Sequence, residues 1–156
     1  MTAQLASRHL LTLTLQVAFD KMLNVGATVI GRRRIAPILG GTFEGERLRG
    51  TVLPGGADWV VNRPDGHMAI DVRIALVTDQ GANIYVTYQG LFRAASTEIM
   101  ARFNKGAALG PEEYKIRTIV KFETGSERYA WLNDMLAVGV GDQTATGPVY
   151  TIFEVL

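Results

Sequence analysis

The stretch "VLPGGADWVVNRPDGHMAIDVRIALV", residues 52–77, decides the fold. Apolar residues alternate with others on both sides of Pro64-Asp65-Gly66, as expected of two half-buried strands joined by a tight turn. Pro64-Asp65-Gly66, and further on Asp79-Gln80-Gly81, each fit a three-residue hairpin loop, a type I turn closed by glycine with positive φ. Counting outward from the first loop pairs Trp59 with Asp71 and Val60 with Ile70. Counting from the second pairs Arg73 with Thr87, Ala75 with Tyr85, Ile74 with Val86 and Leu76 with Ile84. Because side chains alternate across a strand, this meander sorts into two faces. One collects Val60, Met68, Ile70, Val72, Ile74, Leu76, Ile84, Val86 and Tyr88. The other collects Trp59, Asp71, Arg73, Tyr85 and Thr87.

Strand signals continue in both directions. "LTLTLQVAF" alternates Leu11, Leu13, Leu15, Val17 and Phe19 with more polar residues and reads as the first strand. "RRRIAPILGGTFEGERLRGTVLPGG" supplies two or three extended pieces whose glycines mark bulges or bends; it contains no phosphate-loop Gly-Lys-Ser/Thr. The one convincing helix is Ser96 to Lys105, with Ser96 as N-cap, Ile99 and Phe103 on one face, and Gly106 just past its end. "EYKIRTIVKFETG" returns to alternation, "RYAWLND" suits a helical turn, and "MLAVGVGD" and "GPVYTIFEVL" finish as strands. About nine or ten strands with one short helix predict an all-β fold, a closed antiparallel β-barrel in which closure removes exposed edges.

The 156 residues suit a single domain that buries its own core. With 16 Lys and Arg against 15 Asp and Glu, the net charge of +1 offers no field for nucleic acid or an anionic membrane surface. Cysteine is absent, which removes disulfides and thiolate chemistry and fits a reducing, cytoplasmic setting. No apolar run approaches the roughly 18 residues of a membrane helix. His9 and His67 stand far apart without ligand spacing, so no metal is expected; no nucleophile elbow and no cofactor motif occur.

Longer motifs carry a family likeness. Gly40-Gly41-Thr42-Phe43-Glu44-Gly45, Gly55-Gly56-Ala57-Asp58-Trp59, Asp65-Gly66 and Tyr129-Ala130-Trp131-Leu132-Asn133 resemble the domain-of-unknown-function family numbered three-two-three-seven. The likeness runs from Gly31 to the C-terminal strand and departs at "RTIVKFETG", where that pattern has a Pro near Val120. It implies a lipocalin-like barrel with a central cavity and no assigned chemistry.

The polar face of the meander has two readings. As a solvated exterior, Asp71 and Arg73 make a surface pair of little energetic weight. Turned inward beside Trp59 and Tyr85, they form the centre of a pocket, since a buried pair is costly without a task, and Ala57, Ala69 and Ala75 on that face leave room for a ligand. Asp58 has the opposite parity unless Gly55-Gly56 introduces a bulge; it is either an Asx cap or an acid/base. Arg117 is a second cation or an exposed strand residue, and Trp131 and Asn133 are pocket walls or core packing with a satisfied amide.

The chemistry these residues allow is proton transfer with arginine stabilising a developing oxyanion. The leading expectation is a cofactor-free isomerase, hydratase, lyase or cyclase acting on a small, partly aromatic organic molecule in the barrel. Asp71 or Asp58 would be acid or base, Arg73 and Arg117 would polarise an oxygen, and Tyr85 would donate a hydrogen bond. Trp59, Trp131 and Asn133 would line the substrate. The alternatives are a non-catalytic ligand-binding protein and a homo-oligomeric assembly subunit whose surface Arg32, Arg33 and Arg34 mediate contacts.

Overall fold

A computed structural model describes residues 1–156, which form ten strands and one α-helix. The strands are β1 (Ser7–Val17), β2 (Leu23–Thr28), β3 (Gly31–Glu44), β4 (Arg49–Val52), β5 (Ala57–Asn62), β6 (Met68–Thr78), β7 (Asn83–Ala94), β8 (Tyr114–Glu123), β9 (Ala137–Gln143) and β10 (Pro148–Val155). Helix α1 (Thr97–Asn104) links β7 to β8, and short 3-10 segments occupy Phe19–Lys21 and Glu127–Asp134. All pairings are antiparallel, and the pairing of β1 with β3 closes the sheet on itself. Strands β1 and β2 run end to end along one side of β3; β4 and β5 run end to end along the other, separated by Leu53-Pro54-Gly55-Gly56. Ten strands therefore build an eight-strand barrel, with two of them continuing their neighbours.

The β6–β7 register is the one expected, with Arg73 facing Thr87, Ala75 facing Tyr85 and Leu76 facing Ile84, whereas the β5–β6 ladder keeps the expected offset but does not include Trp59 with Asp71 or Val60 with Ile70. Gly66 (φ 87°) and Gly81 (φ 79°) close the two hairpin loops in the left-handed region, each amide bonding back to the residue three earlier. Ser96 caps α1, its hydroxyl accepting from the Ile99 amide at 3.2 Å.

The face that turns inward is the apolar one. Val60, Ile70, Val72, Ile74, Leu76, Ile84, Val86 and Tyr88 are all buried in one continuous core. Trp59, Asp71, Arg73 and Tyr85 share the outer face, which corrects the inward reading of that set. The physical reason is the difference in what burial offers the two faces: a row of branched aliphatics gains roughly 1.5–3 kcal/mol per side chain on leaving water, whereas Asp and Arg lose hydration.

The interior is not uniform along the barrel axis. Toward the β6–β7 turn, Leu11, Leu13, Phe43, Leu76, Ile84 and Ile152 interdigitate with essentially no exposure. Toward the α1 end, inward positions include Ala36 and Asp58, and space is left between the walls. Helix α1 lies at this end, with Phe103 against Phe92 (ring centroids 4.6 Å apart) and Phe92 stacked on Tyr114 at 5.0 Å.

Candidate functional site

The space left at the α1 end is a cavity of about 470 Å³, within the range of small-molecule sites. Its walls are mainly aliphatic and aromatic, and Phe19, Met22, the segment after α1 and the β9–β10 turn contribute to the lining. Gly141 lets Tyr150 lie flat in the wall: a Cβ there would come within 2.7 Å of Tyr150 Cε1. Two charged side chains line the cavity, Arg34 from β3 and Asp58 from β5.

Asp58 is placed by an interruption in the sheet. The β5–β6 ladder pairs Asp58 with Val72 and then resumes at Val61 with Ala69, skipping Trp59 and Val60. Two side chains satisfy backbone groups in the gap. Asp58 Oδ1 accepts from the Asp71 amide at 3.0 Å, and Arg33 Nη1 donates to the Trp59 carbonyl at 2.7 Å. Oδ2 of Asp58 has no protein partner, and the accessible surface that Asp58 keeps opens into the cavity. Burial pushes this carboxyl up to about 7; the Asp71 amide opposes the shift, the Asp71 charge adds to it and Arg34 opposes it.

Arg34 is held by one arm. Its Nη2 donates to Asn62 Oδ1 at 2.7 Å and to Asn104 Oδ1 at 3.3 Å, with Met68 Sδ at 3.9 Å, while Nη1 makes no hydrogen bond to the protein. Arg34 forms no ion pair with Asp58. Desolvation holds the guanidinium below its usual value, with Arg32 adding to that and Asp58 opposing it. Tyr88 and Tyr150 add two phenols to the lining, their rings 4.9 Å apart at 60°, and Asn104, Gln143 and Thr144 are its other polar members. Each phenol influences the other's ionisation, yet the hydroxyls do not meet hydrogen-bonding geometry and Tyr88 Oη is left unpaired. Burial first, and then the neighbouring acidic groups, raises both phenols, which stay protonated at neutral pH.

Of the eight residues singled out from the sequence, Asp58 lines the cavity, on the parity it has without a reversing bulge. On the outer face, the Arg73 guanidinium lies 5.3 Å from the Trp59 ring, and Asp71 receives Gln89 Nε2 at 3.4 Å without pairing with Arg73. Tyr85 is 41% exposed on that same face. Arg117 points outward, its Nη1 donating to the Ile116 carbonyl at 2.8 Å. Trp131 packs under Arg47, 4.0 Å from the ring, and Asn133 brackets Thr124, accepting from its amide at 2.8 Å and donating to its carbonyl at 3.0 Å. These are structural tasks outside the cavity. The other polar lining residues are Arg34, Tyr88, Asn104, Gln143, Thr144 and Tyr150, and the inward Arg34 corrects its reading as a surface contact residue. Parity on β3 was the available signal for Arg34, which alternates in step with the inward Ala36 and Ile38.

A closed antiparallel barrel whose hollow end presents one carboxyl, one guanidinium and two phenols among apolar walls defines a lipocalin-like, small-cavity class of protein. Within that class, the chain belongs to the family described as "Protein of unknown function (DUF3237)", whose model matches residues 7–155. It is 35% identical over 156 residues to the UPF0311 protein RPA1785 of Rhodopseudomonas palustris, covering all of both chains. The crystal structure of that conserved protein of unknown function superposes with a TM-score of 0.91 at 33% identity, again over all of both chains. A β-barrel-like protein from Acinetobacter baumannii AYE gives a TM-score of 0.85 at 32% identity, covering 100% of this chain and 99% of that one. A structure described as an enzyme from Penicillium herquei shares the fold with a TM-score of 0.74 at 21% identity, covering 100% of this chain and 98% of that one.

Proposed function

We propose that the protein is a cofactor-independent acid/base enzyme that moves a proton on a small, partly aromatic organic molecule held in the barrel. The observation that carries this reading is the placement of Asp58 in the cavity wall. Its Oδ1 is committed as an acceptor from the Asp71 amide, so in the neutral form the proton sits on Oδ2, the oxygen that faces the cavity without a protein partner. A carboxyl pushed up to about 7 in that position is populated in both protonation states near neutrality, the condition under which a general acid or base works best. In the balanced step, ionised Oδ2 removes a proton from carbon next to a carbonyl, the charge moves to the carbonyl oxygen, and Arg34 Nη1 stabilises it. Return of the same proton to another atom of the substrate completes an isomerisation with no co-reactant. Tyr88 and Tyr150 supply aromatic walls.

The test is solvent deuterium incorporation next to the carbonyl of a panel of aryl ketones, followed by proton NMR. Wild type should exchange at least about 10²-fold faster than Asp58→Asn. Equal rates for the two proteins would sink the catalytic reading. The second reading, a non-catalytic binding barrel, is favoured by the largely apolar lining. Ligand binding by both proteins, with no exchange above buffer in either, would establish it.

A further inference from the structure

We infer that the cavity's ligand is a small aromatic monoanion whose carboxylate or enolate oxygen sits on Arg34 Nη1, and that its uptake is coupled to protonation of Asp58. This rests on reading Asp58 as the cavity's proton-bearing group, and adds the charge and class of the ligand. Arg34 is the one cationic side chain in the lining. Asn62 and Asn104 anchor its Nη2 and so orient the planar fork, while Nη1 remains without a protein acceptor. A guanidinium fixed in this way is a preorganised donor for an anionic oxygen, and its charge is not spent on an ion pair with Asp58. The remaining walls, with Phe92, Phe103 and Tyr150 among them, suit a flat apolar body better than a second charge.

Charge arithmetic supplies the coupling. With Asp58 neutral, the lining carries one positive charge, which a monoanion cancels. With Asp58 ionised, the lining is already neutral, and an anion would bring a net negative charge between mainly apolar walls. The charged and titratable groups close enough to act on Asp58 are Arg34 from β3, Asp71 from β6, Tyr88 from β7 and Tyr150 from β10. Arg34 stays cationic, both phenols stay protonated, and Asp71 stands on the outer face, which leaves Asp58 as the group inside the cavity that changes.

Cinnamate and its neutral counterpart cinnamamide, titrated calorimetrically into the full-length chain, test the inference. At about pH 6, cinnamate should bind at least about tenfold more tightly than cinnamamide, and this preference should shrink by about tenfold at about pH 8.5. Titrations in buffers of different ionisation enthalpy should show uptake approaching one proton per cinnamate at the higher pH. Arg34→Gln should abolish the preference while cinnamamide binding persists, which also reports that the variant is folded; Arg34→Lys, keeping the charge without the fork, should restore part of it. Asp58→Asn should keep the preference and lose its pH dependence. Cinnamamide binding as tightly as cinnamate, a preference that survives in Arg34→Gln, or no cinnamate binding at millimolar concentration would overturn the inference. A clear anion preference without deuterium exchange in wild type would instead remove only the catalytic reading, and exchange without anion preference would remove only the ligand class.

Discussion

The two ends of the barrel use the same alternation of side chains to opposite effect. At the β6–β7 end, inward positions hold large aliphatics and Phe43, whose volumes close the space completely. At the α1 end, the corresponding inward positions include Ala36, a carboxyl and a guanidinium, and about 470 Å³ stays open. A hollow that buries a carboxyl and a guanidinium among apolar walls contributes little stability and in part opposes it, so the filled end carries the fold that holds the hollow end in shape. Rigidity and reactivity are thereby assigned to different stretches of the same strands. β6 shows this in one element: Leu76 is locked in the packed end, while Ile70 and Val72 line the cavity.

Isoleucine truncation at each end breaks or upholds this contrast. Ile84→Ala removes atoms from a site that is 0% exposed and surrounded on all sides, and should cost toward 5 kcal/mol in urea unfolding. Ile70→Ala removes atoms that already face open space and should cost about 2 kcal/mol. Equal losses would mean that the hollow end is as tightly packed as the filled one.

Asp58→Asn should act in the opposite direction, and only at high enough pH. The folded-state carboxyl is raised from 3.8 to about 7, so between those values the native protein binds a proton that the unfolded chain has released. Stability from this group is full below about pH 4 and is lost as pH rises to about 7. The asparagine variant escapes that loss. It should match wild type near pH 4 and exceed it above pH 7 by up to about 4 kcal/mol, as read from denaturation midpoints across pH. A constant difference across that range would show that Asp58 is hydrated.

Gly141→Ala should cost about 1–3 kcal/mol, because the added methyl meets Tyr150 and Ile116. It should also weaken cinnamamide binding by pushing the phenol ring into the cavity. The smallest effects belong to the outer face. Asp71→Asn and Arg73→Ala should each shift stability by less than about 1 kcal/mol, and Arg73→Ala should leave ligand binding unchanged. A loss of binding in Arg73→Ala would restore the outer face as a site.

Strand existence, hairpin loops, register and the capped helix were readable because each rests on local chemistry: alternation over Met68 to Thr78, glycines at positive φ, and Ser96 before an amphipathic turn. Sidedness was harder, because it depends on closure. A strand such as β6 shows which residues travel together, whereas the choice of the apolar set as interior emerges from eight strands sharing one enclosed volume. Asp58 shares its parity with the inward Val60, whereas the sequence reading brings it into a site only through a bulge at Gly55-Gly56. Arg34 reads with Arg32 and Arg33 as a surface contact run because three consecutive arginines look solvated, whereas the structure leaves Arg32 exposed, sends Arg33 to the Trp59 carbonyl and turns Arg34 inward. Tyr150 sits in an apolar strand with nothing in its neighbours to mark a cavity wall.

The gap in the β5–β6 ladder has a spectroscopic consequence. The Asp71 amide does not bond to a backbone carbonyl across the seam; it bonds to the very carboxyl whose ionisation matters. A hydrogen bond to a charged acceptor is stronger than one to a neutral acceptor. Titrating Asp58 should therefore tighten the bond as pH rises and loosen it as pH falls, moving the Asp71 amide resonance in an isotope-labelled sample. That single backbone signal is an internal pH electrode on the cavity, wired through one strand of the wall and readable from the outside face without any ligand.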